Sequence, residues 1–236
     1  MNIRKHIPNT ITCLSLVSGC VAVVMAFRGN LWGALVAIIW AALFDFCDGL
    51  AARLLKAYSP MGKELDSLSD VVSFGVAPGM IVFWLLGEAC AGLPYRAINP
   101  FIPYLALVIP VFSALRLAKF NVDDRQATTF IGLPTPAHAM FWASVGYAIL
   151  PLIHVREAVT VAVLILVSIF TSSLLVSEIP MFSLKVKTWV WKGNELRYLL
   201  VAAAILFIAC WGVLGIAGTI LLYVILSLLL KPKSHV

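Results

Sequence analysis

The 236 residues carry a net charge of +6 and are 62% hydrophobic but only 12% charged, against about 25% charged residues in an average soluble domain. With a mean hydropathy of +1.01 and long apolar runs from end to end, the composition excludes a soluble globular chain. It points to a polytopic membrane protein divided into spans of about 20 residues.

Taken in chain order, hydropathy predicts eight spans, over residues 8–27, 31–52, 67–88, 100–119, 134–153, 157–176, 197–211 and 213–230. The expected fold is an all-α membrane helix bundle forming a single domain over 1–236, since no segment between spans is long enough for a second one. In the first span Arg4 and Lys5 precede an apolar run, but Pro8, Asn9, Thr10 and Thr12 interrupt its start, which argues against a cleaved signal peptide. The last two spans are short and meet near Gly212 and Gly215, so they read either as a hairpin or as one long helix. The five cysteines form no CxxC pair, which argues against a disulfide framework or a zinc site.

The basic residues are distributed unevenly. With eight spans both termini face one side, and that side holds 14 of the 17 Lys and Arg, leaving Arg28, Arg96 and Arg156 on the other. This bias predicts cytoplasmic termini and accounts for the positive charge without nucleic acid. A basic face also attracts anionic lipid headgroups.

The stretch DFCDGLAARLLKAYSPMGKELDSLSD, residues 45–70, breaks the apolar pattern. Fourteen apolar residues from Leu31 to Phe44 precede Asp45, which puts it about 21 Å in from the outer surface. From the other direction, Val71 to Leu86 puts Asp70 about 24 Å from the same surface and Asp66 at the inner boundary. Two helices thus bring aspartates to one depth. With Asp45 at zero on a helical wheel, Asp48 falls at about 300°, Gly49 at about 40° and Ala52 at about 340°, one stripe of carboxylates and small residues. Gly62, Asp66 and Asp70 form a second stripe, four residues apart. Ser59 and Pro60 suit a turn between the two helices.

Four converging carboxylates repel one another, and a hard divalent cation with oxygen preference removes that repulsion; two cations remove it better. Mg²⁺ completes its shell with water and substrate phosphates, so the pattern predicts a metal-bound phosphate or pyrophosphate, with Arg53 alongside as a phosphate fork. The bland alternative is a set of salt bridges to Arg53, Lys56 and Lys63. Intramembrane ionisable groups favour the functional reading.

Asp45, Asp48, Gly49, Ala52, Arg53, Gly62, Asp66 and Asp70 fill every fixed position of D-x2-D-G-x2-A-R-x8-G-x3-D-x3-D, and the chain resembles the CDP-alcohol phosphotransferase family in this signature. The resemblance implies an enzyme that transfers a phosphoryl-linked group from a CDP-activated donor to an alcohol and releases CMP. It implies Asp45, Asp48 and Asp66 as ligands of Mg²⁺ or Mn²⁺, and Asp70 as a further ligand, the general base, or both. Gly49, Ala52, Arg53 and Gly62 would line the nucleotide site. A homodimer in the cytoplasmic membrane, with the site at the cytoplasmic face, belongs to the same implication.

PNTITCLSLVSG (8–19), ALRLAKFN (114–121), FIGLPTPAHA (130–139) and LLVSEIPMFSLK (174–185) resemble the branch of that family that uses CDP-diacylglycerol and L-serine, so that the catalytic core covers about 8–185 and a helical pair follows at about 197–230. Lys119 stands where arginine is more usual in that branch. Serine is a zwitterion, so its pocket needs a cation for the carboxylate. Arg116 and Lys119 lie three residues apart on one helix face, and Arg116 can grip a carboxylate bidentately. Asn121 adds hydrogen-bonding capacity, and Lys185 is a further candidate for phosphate or carboxylate. Snorkelling membrane-end cations are the bland alternative for Arg116 and Lys119, as a packed interhelical residue is for His138. Other acceptors, glycerol 3-phosphate or an inositol phosphate, remain open at this point. A cation transporter is the reading from a different class, disfavoured because its sites sit near the bilayer midplane.

Overall fold

A computed structural model describes residues 6–94, 99–123, 130–181 and 194–229. Eight helical segments follow in order: α1 (His6–Phe27), α2 (Leu31–Leu54), α3 (Pro60–Ala91), α4 (Ile102–Val122), α5 (Thr135–Ile149), α6 (Glu157–Val176), α7 (Glu195–Trp211) and α8 (Leu214–Leu229). They correspond one for one to the eight spans expected from hydropathy. Five of them, α1 to α4 and α6, are long and apolar enough to cross a membrane.

Small and hydroxyl residues line the contacts of the first helix, while aliphatic side chains cover its outer face. Along α1 the buried positions are Pro8, Thr12, Ser15, Gly19, Ala22 and Ala26, while Val17, Val21 and Val24 face outward. Helices in lipid gain little from burying aliphatic side chains, so close contact between small residues and interhelical hydrogen bonds supply the cohesion. Gly19 lies so close to Ser73 of α3 that a Cβ there would overlap it. Ser15 Oγ donates to Ala41 O of α2 at 2.9 Å and Ser73 Oγ to Ser15 O at 3.1 Å, locking α1 against both of its neighbours. Larger side chains fill the centre, with Leu35, Ile38, Phe74, Ile81, Leu85 and Trp142 in one cluster.

Three local features refine the sequence expectation. Helix α3 begins at Pro60, right after the expected turn and two helical turns ahead of the apolar span at 67–88. Ser59 is its N-cap, accepting from Gly62 N at 3.0 Å, and Pro60 occupies the first turn, where a missing N–H costs nothing; hydropathy does not register the polar first turns. Within α3 the backbone passes from α over Pro60–Asp70 to π over Val71–Val76 and back to α over Ala77–Ala91. The last pair is a hairpin: Gly212 has φ +57°, and Gly215 rests against the Phe207 backbone.

The all-α expectation gains one small addition. Phe130–Ile131 pairs antiparallel with Pro180–Met181, and Gly132 N and Leu133 N donate to Ile179 O and Leu174 O, each at 2.9 Å. These segments connect helices, and their backbone groups need partners of their own. Gly132 sits at φ +76° with Leu175 O against it, a position closed to other residues. The pairing joins the FIGLPTPAHA and LLVSEIPMFSLK segments, which are far apart in sequence. All five cysteines are free thiols.

Candidate active site

The two aspartate stripes meet. Carboxylate oxygens of Asp45 and Asp48 on α2 and Asp66 on α3 all lie within 4.8 Å of one another. Asp45 also makes direct side-chain contact with Asp66 and Asp70, which brings the fourth carboxylate into the cluster. Among the described residues no ion pair joins these aspartates to Arg53, Lys56 or Lys63: Arg53 Nε donates to Gly49 O at 2.9 Å, and Lys63 Nζ reaches Asn121 O at 3.4 Å. The salt-bridge alternative therefore has no support here. A cluster of hard oxygen donors that makes no ion pair with Arg53, Lys56 or Lys63 among the described residues is a donor set suited to a divalent cation.

Helix α1 orients this set. Thr12 Oγ1 donates to Asp48 Oδ2 at 2.5 Å, and Ser69 Oγ donates to Thr12 O at 3.4 Å. Asp48 is consequently buried, at 6% exposure, with one oxygen fixed, the kind of outer hydrogen bond that turns a metal-binding carboxylate towards its ion. Thr12 belongs to the PNTIT segment, and its task shows only once α1 packs against α2.

Beside the cluster opens a cavity of about 540 Å³, lined in part by Asp48, Gly49, Ala52, Gly62 and Asp66, and by Asn9 and Thr12 from α1. Its size lies within the roughly 300–1,000 Å³ range of ligand pockets. A Cβ on Gly49 would meet nothing within 4 Å, whereas one on Gly62 would crowd Asn9 Oδ1 at 2.9 Å and Ser59 Oγ at 3.0 Å. Gly49 thus keeps the cavity open and Gly62 lets α1 approach α3. Arg53 is exposed and turned back on its own helix, so it does not line the cavity in this conformation.

Arg116 of α4 is 7% exposed and in electrostatic contact with Asp70. Its guanidinium carbon lies 5.2 Å from the Phe120 ring centroid. Asp70 Oδ1 and Arg116 Nε are both buried without a hydrogen-bond partner. This Arg116 is not a snorkelling cation. Lys119 is different: it pairs with Glu178 and reaches Val176 O at 3.4 Å. Asn121 Nδ2 donates to Ser67 Oγ at 2.9 Å, tying the end of α4 to α3. Lys185 lies outside the described residues. His138 is fully buried, 3.0 Å from Thr171 Oγ1 and accepting from Trp142 Nε1 at 3.2 Å, so it packs between helices.

This four-aspartate site, on a bundle of apolar helices, defines a membrane-embedded enzyme class, and the chain belongs to the CDP-alcohol phosphatidyltransferase family, whose model matches residues 5–173. Among individual proteins it is 36% identical to the CDP-diacylglycerol–serine O-phosphatidyltransferase of Bacillus subtilis (strain 168) over 149 residues, 63% of this chain and 80% of that one. The protein of the same name from Mycobacterium leprae (strain TN) is 36% identical over 141 residues, 57% of this chain and 44% of the relative. The archaetidylserine synthase of Methanothermobacter thermautotrophicus is 34% identical over 136 residues, 57% of this chain and 54% of the relative. The chain thus spans about half the length of the latter two.

Proposed function

We propose that the protein transfers the phosphatidyl group of CDP-diacylglycerol to the hydroxyl of L-serine, giving phosphatidylserine and CMP. The observation that carries the reading is the juxtaposition of the aspartate cluster, with its cavity, and a buried arginine at Asp70. The cavity takes the cytidine diphosphate, with Gly49, Ala52 and Gly62 against it. Arg116 binds the serine carboxylate, which leaves the serine hydroxyl within reach of Asp70. Asp70 accepts the hydroxyl proton, the serine oxygen bonds to the phosphorus that carries diacylglycerol, and the bond from that phosphorus to CMP breaks. Asp45, Asp48 and Asp66, with Asp70 as a further candidate, would hold one or two Mg²⁺ or Mn²⁺ ions, which offset the charge of the pyrophosphate and the departing CMP. The names of the relatives support serine over a phosphorylated acceptor.

The same proposal puts the site at the cytoplasmic face of the inner membrane, supported by the distribution of Lys and Arg in the sequence. It includes the homodimer the resemblance implies; a monomer as the sole species in native lipid discs would remove that part. The domain reading, one unit with its catalytic core at about 8–185, stands with it.

CMP release by the purified protein, supplied with CDP-diacylglycerol and either serine, glycerol 3-phosphate or an inositol phosphate, tests the acceptor. Release with serine alone is the expected result. Release only with a phosphorylated acceptor would overturn the serine assignment and keep the aspartate chemistry. Gly49 offers a separate test of the cavity. Because its Cβ position is open, Gly49→Leu is expected to fold with no loss in melting temperature, helped by about 1 kcal/mol of helix propensity. Its KM for CDP-diacylglycerol should rise at least about tenfold as the cavity fills; an unchanged KM would mean the donor binds elsewhere.

A further inference from the structure

The cavity beside the aspartates has an acidic side and, opposite in charge, a single cation. Asp48 and Asp66 are the acidic residues of its lining, and among the described residues Lys63 is the one Lys or Arg that lines it. Arg53, the cation that the sequence put there, turns back to Gly49 O and is absent from the lining. Lys63 does not serve its own helix. It stands four residues after the Ser59 cap of α3, and a cation near a helix N-terminus opposes the helix dipole. Nor does it neutralise the aspartates. Lys63 and Asp66 are three residues apart on α3, the spacing at which opposite charges meet on a helix face, yet the two do not pair. Lys63 Nζ reaches Asn121 O at the end of α4, 3.4 Å away. Asn121 is held in turn, its Nδ2 donating to Ser67 Oγ at 2.9 Å. The end of α4 thus draws the ammonium group off the carboxylates and leaves them free for a divalent cation. One long hydrogen bond to a carbonyl uses one of the three N–H donors of an ammonium group; the others are left for a ligand.

We infer that Lys63 binds the diphosphate of the donor at the solvent-facing edge of the cavity. The inference rests on the donor reading given above. A diphosphate brings negative charge into a cavity that already holds Asp48 and Asp66, so a cation in the lining is what its entry requires. Lysine suits the task because its compact charge rides on a flexible stem, which can pass from Asn121 O to a phosphate oxygen. The role is one that the signature D-x2-D-G-x2-A-R-x8-G-x3-D-x3-D leaves open, since residue 63 falls on one of its variable positions.

Lys63→Met, which keeps most of the stem and removes the charge, tests this by steady-state CMP release. The KM for CDP-diacylglycerol is expected to rise about tenfold, the worth of one hydrogen bond to a charged group, while the KM for serine and the melting temperature stay at wild-type values. Because Lys63 is exposed, the gap between the two proteins should narrow as salt screens the charge. Lys63→Arg keeps the charge and should retain most of the affinity for the donor. An unchanged donor KM in Lys63→Met overturns the inference. A lowered melting temperature with both KM values raised also overturns it, by reducing Lys63 to a strap between α3 and α4. Calorimetric titration with CDP in the presence of Mg²⁺ reads the same contact without turnover, and Lys63→Met should bind about tenfold more weakly. If the wild-type protein binds CDP but releases CMP with none of the acceptors, the serine reading fails and the titration decides the role of Lys63. Equal CDP binding by the two proteins would overturn the inference and leave the serine reading standing.

Discussion

Replacing Asp70 by asparagine is expected to lower CMP release by at least about 10²–10⁴-fold, the usual contribution of a positioned general base, while the protein stays folded. Asparagine matches aspartate in shape. It also removes one negative charge from a cluster in which Asp45 and Asp66 already face Asp70, and the repulsion relieved offsets the lost attraction to Arg116. Asp70 Oδ1 has no hydrogen-bond partner to lose. On the proposed mechanism, what the variant does lose is the oxygen that accepts the serine proton. Turnover with serine, measured beside the melting temperature, checks this. Substantial activity in a folded Asp70→Asn protein would sink the base assignment. Loss of activity together with loss of metal-dependent stabilisation would make Asp70 chiefly a ligand.

On the proposed mechanism, donor and acceptor meet different walls. Asp48 and Asp66 line the cavity, with Gly49, Ala52 and Gly62 beside them. Asp70 is not among its lining residues and is in electrostatic contact with Arg116 of α4. The π stretch Val71–Val76 begins one residue later. An α-helix would continue the four-residue stripe of Gly62, Asp66 and Asp70 along one line; the wider turn breaks that line just past Asp70. There Gly75 meets Ser113, whose Cβ would lie 3.0 Å from a Cβ on the glycine. Such segments recur at functional sites, and this one lets α4 approach with Arg116 in front of the cluster.

Much of this was legible in the sequence because its signals are strong one by one. Apolar run length set the eight helices, and the spacing of Asp45, Asp48, Asp66 and Asp70 put four carboxylates on two facing stripes. Their convergence was an inference from depth, and the mutual 4.8 Å limit for Asp45, Asp48 and Asp66 agrees with it. Arg116 and Lys119 looked alike, at matching places on one helix face. Only tertiary packing separates them: Arg116 is buried with Phe120 over its guanidinium, while Glu178, which comes close through the pairing of residues 130–131 with 180–181, takes Lys119. Thr12 and the π segment were not legible. The one depends on a contact between residues 36 positions apart, the other on a backbone choice that leaves no trace in hydropathy.

The second large effect concerns the metal. Chelation of divalent cations is expected to abolish CMP release, and Mg²⁺ or Mn²⁺ to restore it. Activity alone cannot tell a bound ion from one carried in by the nucleotide, so stability gives the sharper test. Three carboxylates within 4.8 Å, on helices joined by only a short link from Leu55 to Ser59, push α2 and α3 apart unless a cation lies between them. Binding to the folded protein alone should therefore raise the melting temperature in the absence of any substrate. At a hundredfold excess over Kd the gain is about 2.7 kcal/mol, or about 5–10 °C for a chain of this size. Asp45→Asn takes out the carboxylate that touches both Asp66 and Asp70. It should melt higher than wild type when both are stripped of metal, since less repulsion remains, and gain little when metal is returned. The two curves should cross as metal is added. A wild-type protein whose melting point ignores Mg²⁺ and Mn²⁺ would place the ions with the nucleotide, and the aspartates would then act only once the donor has bound.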